Sequence, residues 1–257
     1  MPEGDTVHRT ARRLHEVLAG EILTRFDLRV PHAATADLTG ERVESVRAVG
    51  KHLLHRIADV TLHTHLAMEG EWHTYRVDDR WRRPTFQARA ILDASGWTTV
   101  GFDLAVVELL PREREAGVIA HLGPDPLGPE WSEDEAVRRL ALDTRPAHIA
   151  LLDQRNVAGF GNEYANELLY LRGIAPRTPM VDVAVAPLVA LGVRAIRSNL
   201  ARAVRTFTGD TRRGHDHWVY GRAGLPCRRC GALIEEDALG AKPGEERRVF
   251  RCPRCQA

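Results

Sequence analysis

Residues 151–167 read LLDQRNVAGFGNEYANE. Leu151 and Leu152 belong to a helical segment over about 147–155, Gly159 and Gly161 supply a turn, and Asn162 opens a second helix over 162–172. Two helices joined by a glycine turn make a helical hairpin. Exposed backbone N–H groups at Gly161 and Asn162 are expected to suit a phosphate, although a hairpin without a ligand fits the same pattern. No strand precedes these glycines and the G-x-G-x-x-G pattern is incomplete, which argues against a dinucleotide site.

Outward from the hairpin, the chain changes character on both sides. Ser132 with Glu135 forms a capping box that predicts a helix through Asp143, and GPDPLGPEW at 123–131 reads as a linker. Upstream the hydrophobic period falls to two. Residues 21–30 are expected to place Ile22, Phe26, Leu28 and Val30 on one face, and 52–66 and 86–92 alternate in the same way. Short strand-length runs from Leu38 to Leu110 predict an all-β sandwich or barrel. One helix interrupts that half: Val7, Ala11, Leu14 and Leu18 recur at helical spacing behind Asp5, the expected N-cap. Downstream, a helix over 187–206 leads to short strands from Gly221 to the C-terminus.

Those last strands carry all four cysteines, Cys227-x-x-Cys230 and Cys252-x-x-Cys255, with 21 residues between the pairs. Two tight CxxC turns suit a tetrahedral four-thiolate zinc ribbon; a redox pair, an iron–sulfur cluster and unconnected thiols are the alternatives. A closed set of four ligands leaves no open position, so one Zn²⁺ per chain would be structural.

Charge is segregated. The 36 Lys+Arg nearly balance the 35 Asp+Glu, yet from Arg194 onward 14 basic residues face only 7 acidic ones. A basic C-terminal quarter is expected of a module that binds a polyanion. The near-average composition excludes collagen-like and wholly disordered chains. The longest apolar stretch, Val181 to Val193, is broken by Asp182 and Pro187, which excludes a helical membrane span there. No signal-peptide core is seen, and paired cysteines point to a reducing compartment, so a cytoplasmic protein is expected.

Two further residues attract attention by their chemistry. The chain begins MPEGD, and removal of Met1 would leave Pro2 as a free secondary amine. An α-amino group titrates near ~7.8 against ~10.4 for Lys, so it is far more often the uncharged nucleophile at neutral pH. Glu3 beside it suits general acid–base work. Lys51 is one of only two lysines in a chain that otherwise uses Arg, as expected where a compact ammonium or a proton-transferring amine is needed. His52, His55, His63 and His65 alternate along strands with no carboxylate near in sequence to complete a metal triad, and His215-Asp216-His217 reads as a phosphate-facing loop.

Taken together, PEGDT at 2–6, GKHLL at 50–54, HLAMEG at 65–70, LLDQRNVAGFGNEYANE at 151–167 and RRVFRCPRCQ at 247–256 resemble the formamidopyrimidine-DNA glycosylase/endonuclease VIII family of bacterial base-excision-repair enzymes. The resemblance implies a multidomain α+β fold. It would comprise an N-terminal catalytic β-sandwich with one helix (1–123), a helix–two-turn–helix DNA-binding domain (130–220) and a zinc-ribbon finger (221–257). It also implies a bifunctional glycosylase and abasic-site lyase acting on damaged double-stranded DNA as a monomer. Pro2 would be the nucleophile and Glu3 the acid, while Lys51 would hold phosphate and assist proton transfer. Asn162 and Arg247 would grip the DNA backbone, and Met68 would be the wedge that fills the gap left by a flipped base. His121 and His148 stand where relatives carry Arg and Lys.

Members acting on oxidised purines carry Arg-Arg-Phe where this chain has Asp103 to Val107, and their loop corresponding to Thr206–Trp218 is longer. Both departures resemble the endonuclease VIII branch, most of all the second endonuclease VIII of actinobacteria, and imply oxidised pyrimidines as substrates. An oxidised-purine glycosylase, or a non-catalytic zinc-ribbon protein that binds damaged DNA, is the alternative.

Overall fold

The computed structural model describes residues 2–256 as two compact units, one through His121 and one from Leu122. Met1, whose removal the reading of Pro2 requires, lies outside the described residues.

In the first unit, helix α1 (Gly4–Leu18) is followed by strands β1 (Arg25–Leu28), β2 (Val43–Val49), β3 (His52–Ile57), β4 (Val60–His65), β5 (Glu71–Arg76), β6 (Ala88–Ala94), β7 (Trp97–Phe102) and β8 (Val106–Pro111), then a short helix α2 (Glu115–Ile119). The strands form two antiparallel four-stranded sheets, ordered β1-β6-β7-β5 and β2-β3-β4-β8. One core joins them: Val7, Leu14 and Leu18 from α1 pack with Phe26 and Leu92 of the first sheet and Val46, Leu53 and Leu62 of the second. Burying a Leu of this kind stabilises the fold by roughly 2 kcal/mol, so the apolar stripe of α1 is what ties the helix to the sandwich.

Three expectations need correction here. α1 starts at Gly4 with Glu3 as N-cap, which places Asp5 inside the first turn, where its charge still favours the helix N-terminus. The 21–30 run is a strand only over Arg25–Leu28; Ile22 is 48% exposed and Leu23 enters the core instead, because the chain reaches β1 through an isolated bridge from Ile22 to Arg42. Helix α2 was not expected. It is held by the buried Glu115, whose carboxylate accepts from Arg47, from Arg56 (2.7 Å) and from Thr61 (2.6 Å).

The second unit contains α3 (Glu133–Ala141), α4 (Ala147–Leu152), α5 (Asn162–Arg172), α6 (Val185–Leu200) and a two-stranded hairpin of β9 (Glu235–Leu239) and β10 (Arg247–Arg251). Ser132 caps α3 as expected, its Oγ accepting from the Glu135 N–H at 3.3 Å. α5 ends at Gly173 in the left-handed region (φ 70°), where a side chain would also crowd the Cys255 carbonyl. α6 starts and stops earlier than 187–206. Its last turn is closed by Asn199, whose side chain accepts from the Thr206 N–H and donates to the Tyr164 hydroxyl, which commits the chain after Leu200 to a loop. The helices share a core of Phe160, Tyr164, Leu168, Leu188 and Ile196. A second cluster of Tyr170, Val219, Ile234 and Phe250 seats the hairpin.

Candidate functional site

In the first unit, Pro2 and Glu3 stand immediately ahead of α1, and Glu3 has no exposed surface. α1 packs on β2, whose C-terminal end runs through Gly50 (φ 58°) into Lys51 and then β3. The positive φ at Gly50 makes that turn tight enough to put Lys51 at the end of the sheet. Beside it the antiparallel register collects histidines on one face. His52 is opposite His65, and Leu54 is opposite His63, which in turn faces Glu108 of β8. His52 Nδ1 lies 2.9 Å from His63 Nε2, and His63 Nδ1 lies 3.0 Å from Glu108 Oε2. The His121 ring closes the group, 5.8 Å from His52 centroid to centroid.

Sequence reasoning found no carboxylate for these histidines. The sheet supplies one, Glu108, from a strand 45 residues further along the chain. Burial, neighbouring imidazoles and the Lys51 ammonium push His52 down to about 3, and burial with Lys51 and His63 pushes His65 down to about 4. His52 and His65 are therefore neutral at physiological pH.

Met68 lies in the β4–β5 turn and is 56% exposed. Asp103 is bound to Arg83 at 2.6 Å, and Leu104 and Val107 are buried in the core.

In the second unit the exposed N–H groups expected at the hairpin turn are not found: Gly161 is buried and Asn162 is 5% exposed. The Asn162 amide instead donates to the Arg248 carbonyl (2.9 Å) and accepts from His148 Nε2 (2.9 Å) and Asn166 Nδ2 (3.2 Å). His148 is wholly buried and burial drives it down to about 4, so it is a neutral prop for Asn162 rather than a cation. Asn166 also accepts from the Phe250 N–H at 2.6 Å, stitching α5 to β10. Arg247 is exposed at the start of β10, next to the hairpin's tip, while its neighbour Arg248 is spent on Glu236 (2.7 Å).

The expectation of a phosphate-facing His217 is also overturned. Its Nε2 lies 3.1 Å from buried Glu163, and although burial opposes the charge, that carboxylate raises the imidazole's affinity for its proton. The 206–218 loop is tied to itself through Thr206 to the Asp210 carbonyl (2.8 Å) and Trp218 to the Phe207 carbonyl (3.0 Å).

The four cysteine Sγ atoms lie within 4.8 Å of one another, the group among the described residues able to hold a metal. All four are free thiols, and the separations of 3.4 Å for Cys230–Cys252 and 3.9 Å for Cys227–Cys255 are too long for disulfides. They suit the edge of a tetrahedron with ~2.3 Å metal–sulfur bonds.

A helix-led β-sandwich, a helical hairpin domain and a four-cysteine ribbon in one chain define the class of Fpg-like folds. Two family models match in order: the formamidopyrimidine-DNA glycosylase N-terminal domain over residues 1–107 and its H2TH domain over 122–213. The chain belongs to the formamidopyrimidine-DNA glycosylase/endonuclease VIII family. It is 45% identical to the "Probable endonuclease 8 2" of Streptomyces coelicolor, covering 100% of this chain and 94% of that protein. It is 44% identical to the "DNA-(apurinic or apyrimidinic site) lyase Nei2" of Mycolicibacterium smegmatis, covering 100% and 99%. The fold is that of Lactococcus lactis formamidopyrimidine-DNA glycosylase solved with abasic-site DNA, with a TM-score of 0.81 at 22% identity over 99% of each chain.

Proposed function

We propose that this chain removes oxidised pyrimidines from double-stranded DNA and cuts the strand at the abasic site, working as a cytoplasmic monomer. The Pro2 nitrogen, freed of Met1, attacks C1′ of the damaged nucleotide. The bond to the base breaks with its electrons leaving on the base, and Glu3 protonates the sugar ring oxygen as the ring opens. The resulting iminium acidifies the C2′ hydrogen. Loss of that proton expels the 3′-phosphate by β-elimination, and δ-elimination then releases the 5′-phosphate. Lys51 holds phosphate and assists proton transfer, Asn162 and Arg247 bind the backbone, His121 adds a DNA contact, and Met68 wedges into the vacated stack, which offsets part of the few kcal/mol that flipping costs.

The observation that carries this reading is the placement of Pro2-Glu3 directly before α1, with Glu3 fully buried. A carboxyl withdrawn from water beside a helix start suits proton delivery to a sugar better than solvent exposure would. The pyrimidine preference is supported by Asp103, committed to Arg83, and by the self-tied 206–218 loop. Within this scheme residues 1–123 form the catalytic domain, 130–220 the DNA-binding domain and 221–257 the finger. Cys227, Cys230, Cys252 and Cys255 would hold one Zn²⁺, which when bound cross-links a hairpin that has little core of its own.

Borohydride present during turnover of abasic DNA should trap a covalent protein–DNA adduct. Pro2→Gly and an N-terminally acetylated protein should give none. No adduct with the unmodified protein sinks the lyase reading. Faster cleavage of 8-oxoguanine than of 5-hydroxyuracil and thymine glycol duplexes overturns the pyrimidine preference.

A further inference from the structure

α5 meets the ribbon along one face. Asn162, Asn166 and Tyr170 recur every fourth residue on that helix, and each has a partner in the ribbon. Asn162 donates to the Arg248 carbonyl at 2.9 Å, and Asn166 accepts from the Phe250 N–H at 2.6 Å. The third contact differs in kind. Tyr170 has no exposed surface, and its hydroxyl lies 3.2 Å from Cys227 Sγ. A buried phenol needs a hydrogen-bond partner. Once Cys227 is a metal-bound thiolate it has no proton to give, so Tyr170 is the donor.

The surroundings strengthen that bond. Four thiolates around one Zn²⁺ leave negative charge in excess, spread over the sulfurs. Cys227 also receives the Arg229 N–H at 3.4 Å, within its own CxxC turn, as Cys252 does the Cys255 N–H at 3.4 Å. The Tyr170 hydroxyl comes from outside the turns. Arg229 lays its guanidinium over the Tyr170 ring, 4.6 Å from the centroid, and a cation on the ring's face makes the O–H a better donor. Trp218 stacks on the same ring, 5.8 Å between centroids, and fixes its orientation.

We propose that Tyr170 is a positioning residue of the metal site: its hydroxyl donates to the Cys227 thiolate, tightens the ribbon's hold on Zn²⁺, and makes the α5 face, Asn162 included, depend on the metal. The proposal rests on the reading of the four cysteines as a zinc site. The bond is charge-assisted only while the sulfur is a thiolate, so it stabilises the metal-bound ribbon more than the metal-free thiol. When the metal leaves, that advantage goes, and α5 loses an anchor about two turns from Asn162.

Tyr170→Phe keeps the ring, its stacking on Trp218 and its place under Arg229, and removes the hydroxyl alone. In chelator competition the Y170F dissociation constant for Zn²⁺ should rise about tenfold or more. The sulfur-to-metal charge-transfer band of the cobalt-substituted protein should move to longer wavelength, because a thiolate without its donor gives up electrons more readily. In zinc-buffered solution, the free Zn²⁺ at which binding to a duplex with a stable abasic-site analogue is half lost should rise by the same factor. Arg229→Gln, a change at an exposed side chain, should move the band the same way by less, and reads the bond even where Y170F folds poorly. A Y170F dissociation constant within about twofold of the parent, or a band unmoved in both variants, overturns the proposal. DNA binding by the parent that ignores free Zn²⁺ overturns the link to Asn162. A purified parent lacking one Zn²⁺ per chain removes the metal reading itself, and the proposal with it.

Discussion

Glu115 shows how much one residue can organise. Burial alone would raise its pKa, but hydrogen bonds from Arg56, Thr61 and Arg47 outweigh that and hold the carboxyl down to about 2. Glu115→Gln leaves two guanidinium groups without their counter-charge and should cost roughly 2–3 kcal/mol, read as a lower urea midpoint at neutral pH. The same substitution should matter little near pH 2, where the parent carboxyl is itself protonated. Asn162 is organised in the same way by His148 and Asn166. Sequence reading identified the residue but took its backbone to be exposed, because the partners that bury it come from α4 and, through Arg248, from β10.

At the scale of elements, capping and close approach give sharper expectations than propensity. Ser132→Ala removes the oxygen that accepts from Glu135 N–H and should destabilise α3 by about 1 kcal/mol, seen as faster amide exchange in its first turn. Gly192→Ala in α6 would put a Cβ 2.6 Å from Phe160 Cζ; that ring is buried, so a cost of about 1–3 kcal/mol is expected in chemical denaturation. The β9–β10 hairpin depends on its cysteines. Cys→Ser at any of the four positions should abolish metal stoichiometry and weaken DNA binding while leaving borohydride trapping detectable at high protein concentration. The helix, the cap and the CxxC turns were legible because each is written within a few residues. The limits of β1 and α6 were not, since Leu23 and Asn199 are claimed by partners elsewhere in the chain.

At the scale of the whole molecule, buried imidazoles set the acid limb of stability. Wholly buried His55 and His148 are both pushed down to about 4, so between pH 6.5 and 4 the unfolded chain binds protons that the folded one refuses. Stability therefore falls as pH drops through that window, by on the order of 3 kcal/mol for each group. Glu115 and Glu163, held near 2, add a second loss as pH falls from 4.5 towards 2. Urea midpoints measured from pH 8 to 3 should decline in two stages, and His148→Phe should flatten the first if the ring is accommodated. The basic excess beyond Arg194 predicts DNA affinity that falls steeply with salt, and Arg247→Ala should lower the slope of log K against log salt by about one.

The division into a β half and a helical half, the paired cysteines, the place of Pro2 and Glu3 ahead of the first helix and the isolation of Lys51 among arginines were legible in the sequence alone. Hydrophobic period, caps and ligand spacing are short-range signals, and they survive without knowledge of what packs against them. Only the tertiary structure decided that Glu108 completes the histidine row, that His217 faces Glu163, and that His148 is an uncharged support. Those pairings join strands and helices distant in the chain. Which tautomer or charge a side chain adopts depends on partners and burial that exist only once the sheets and helices have assembled.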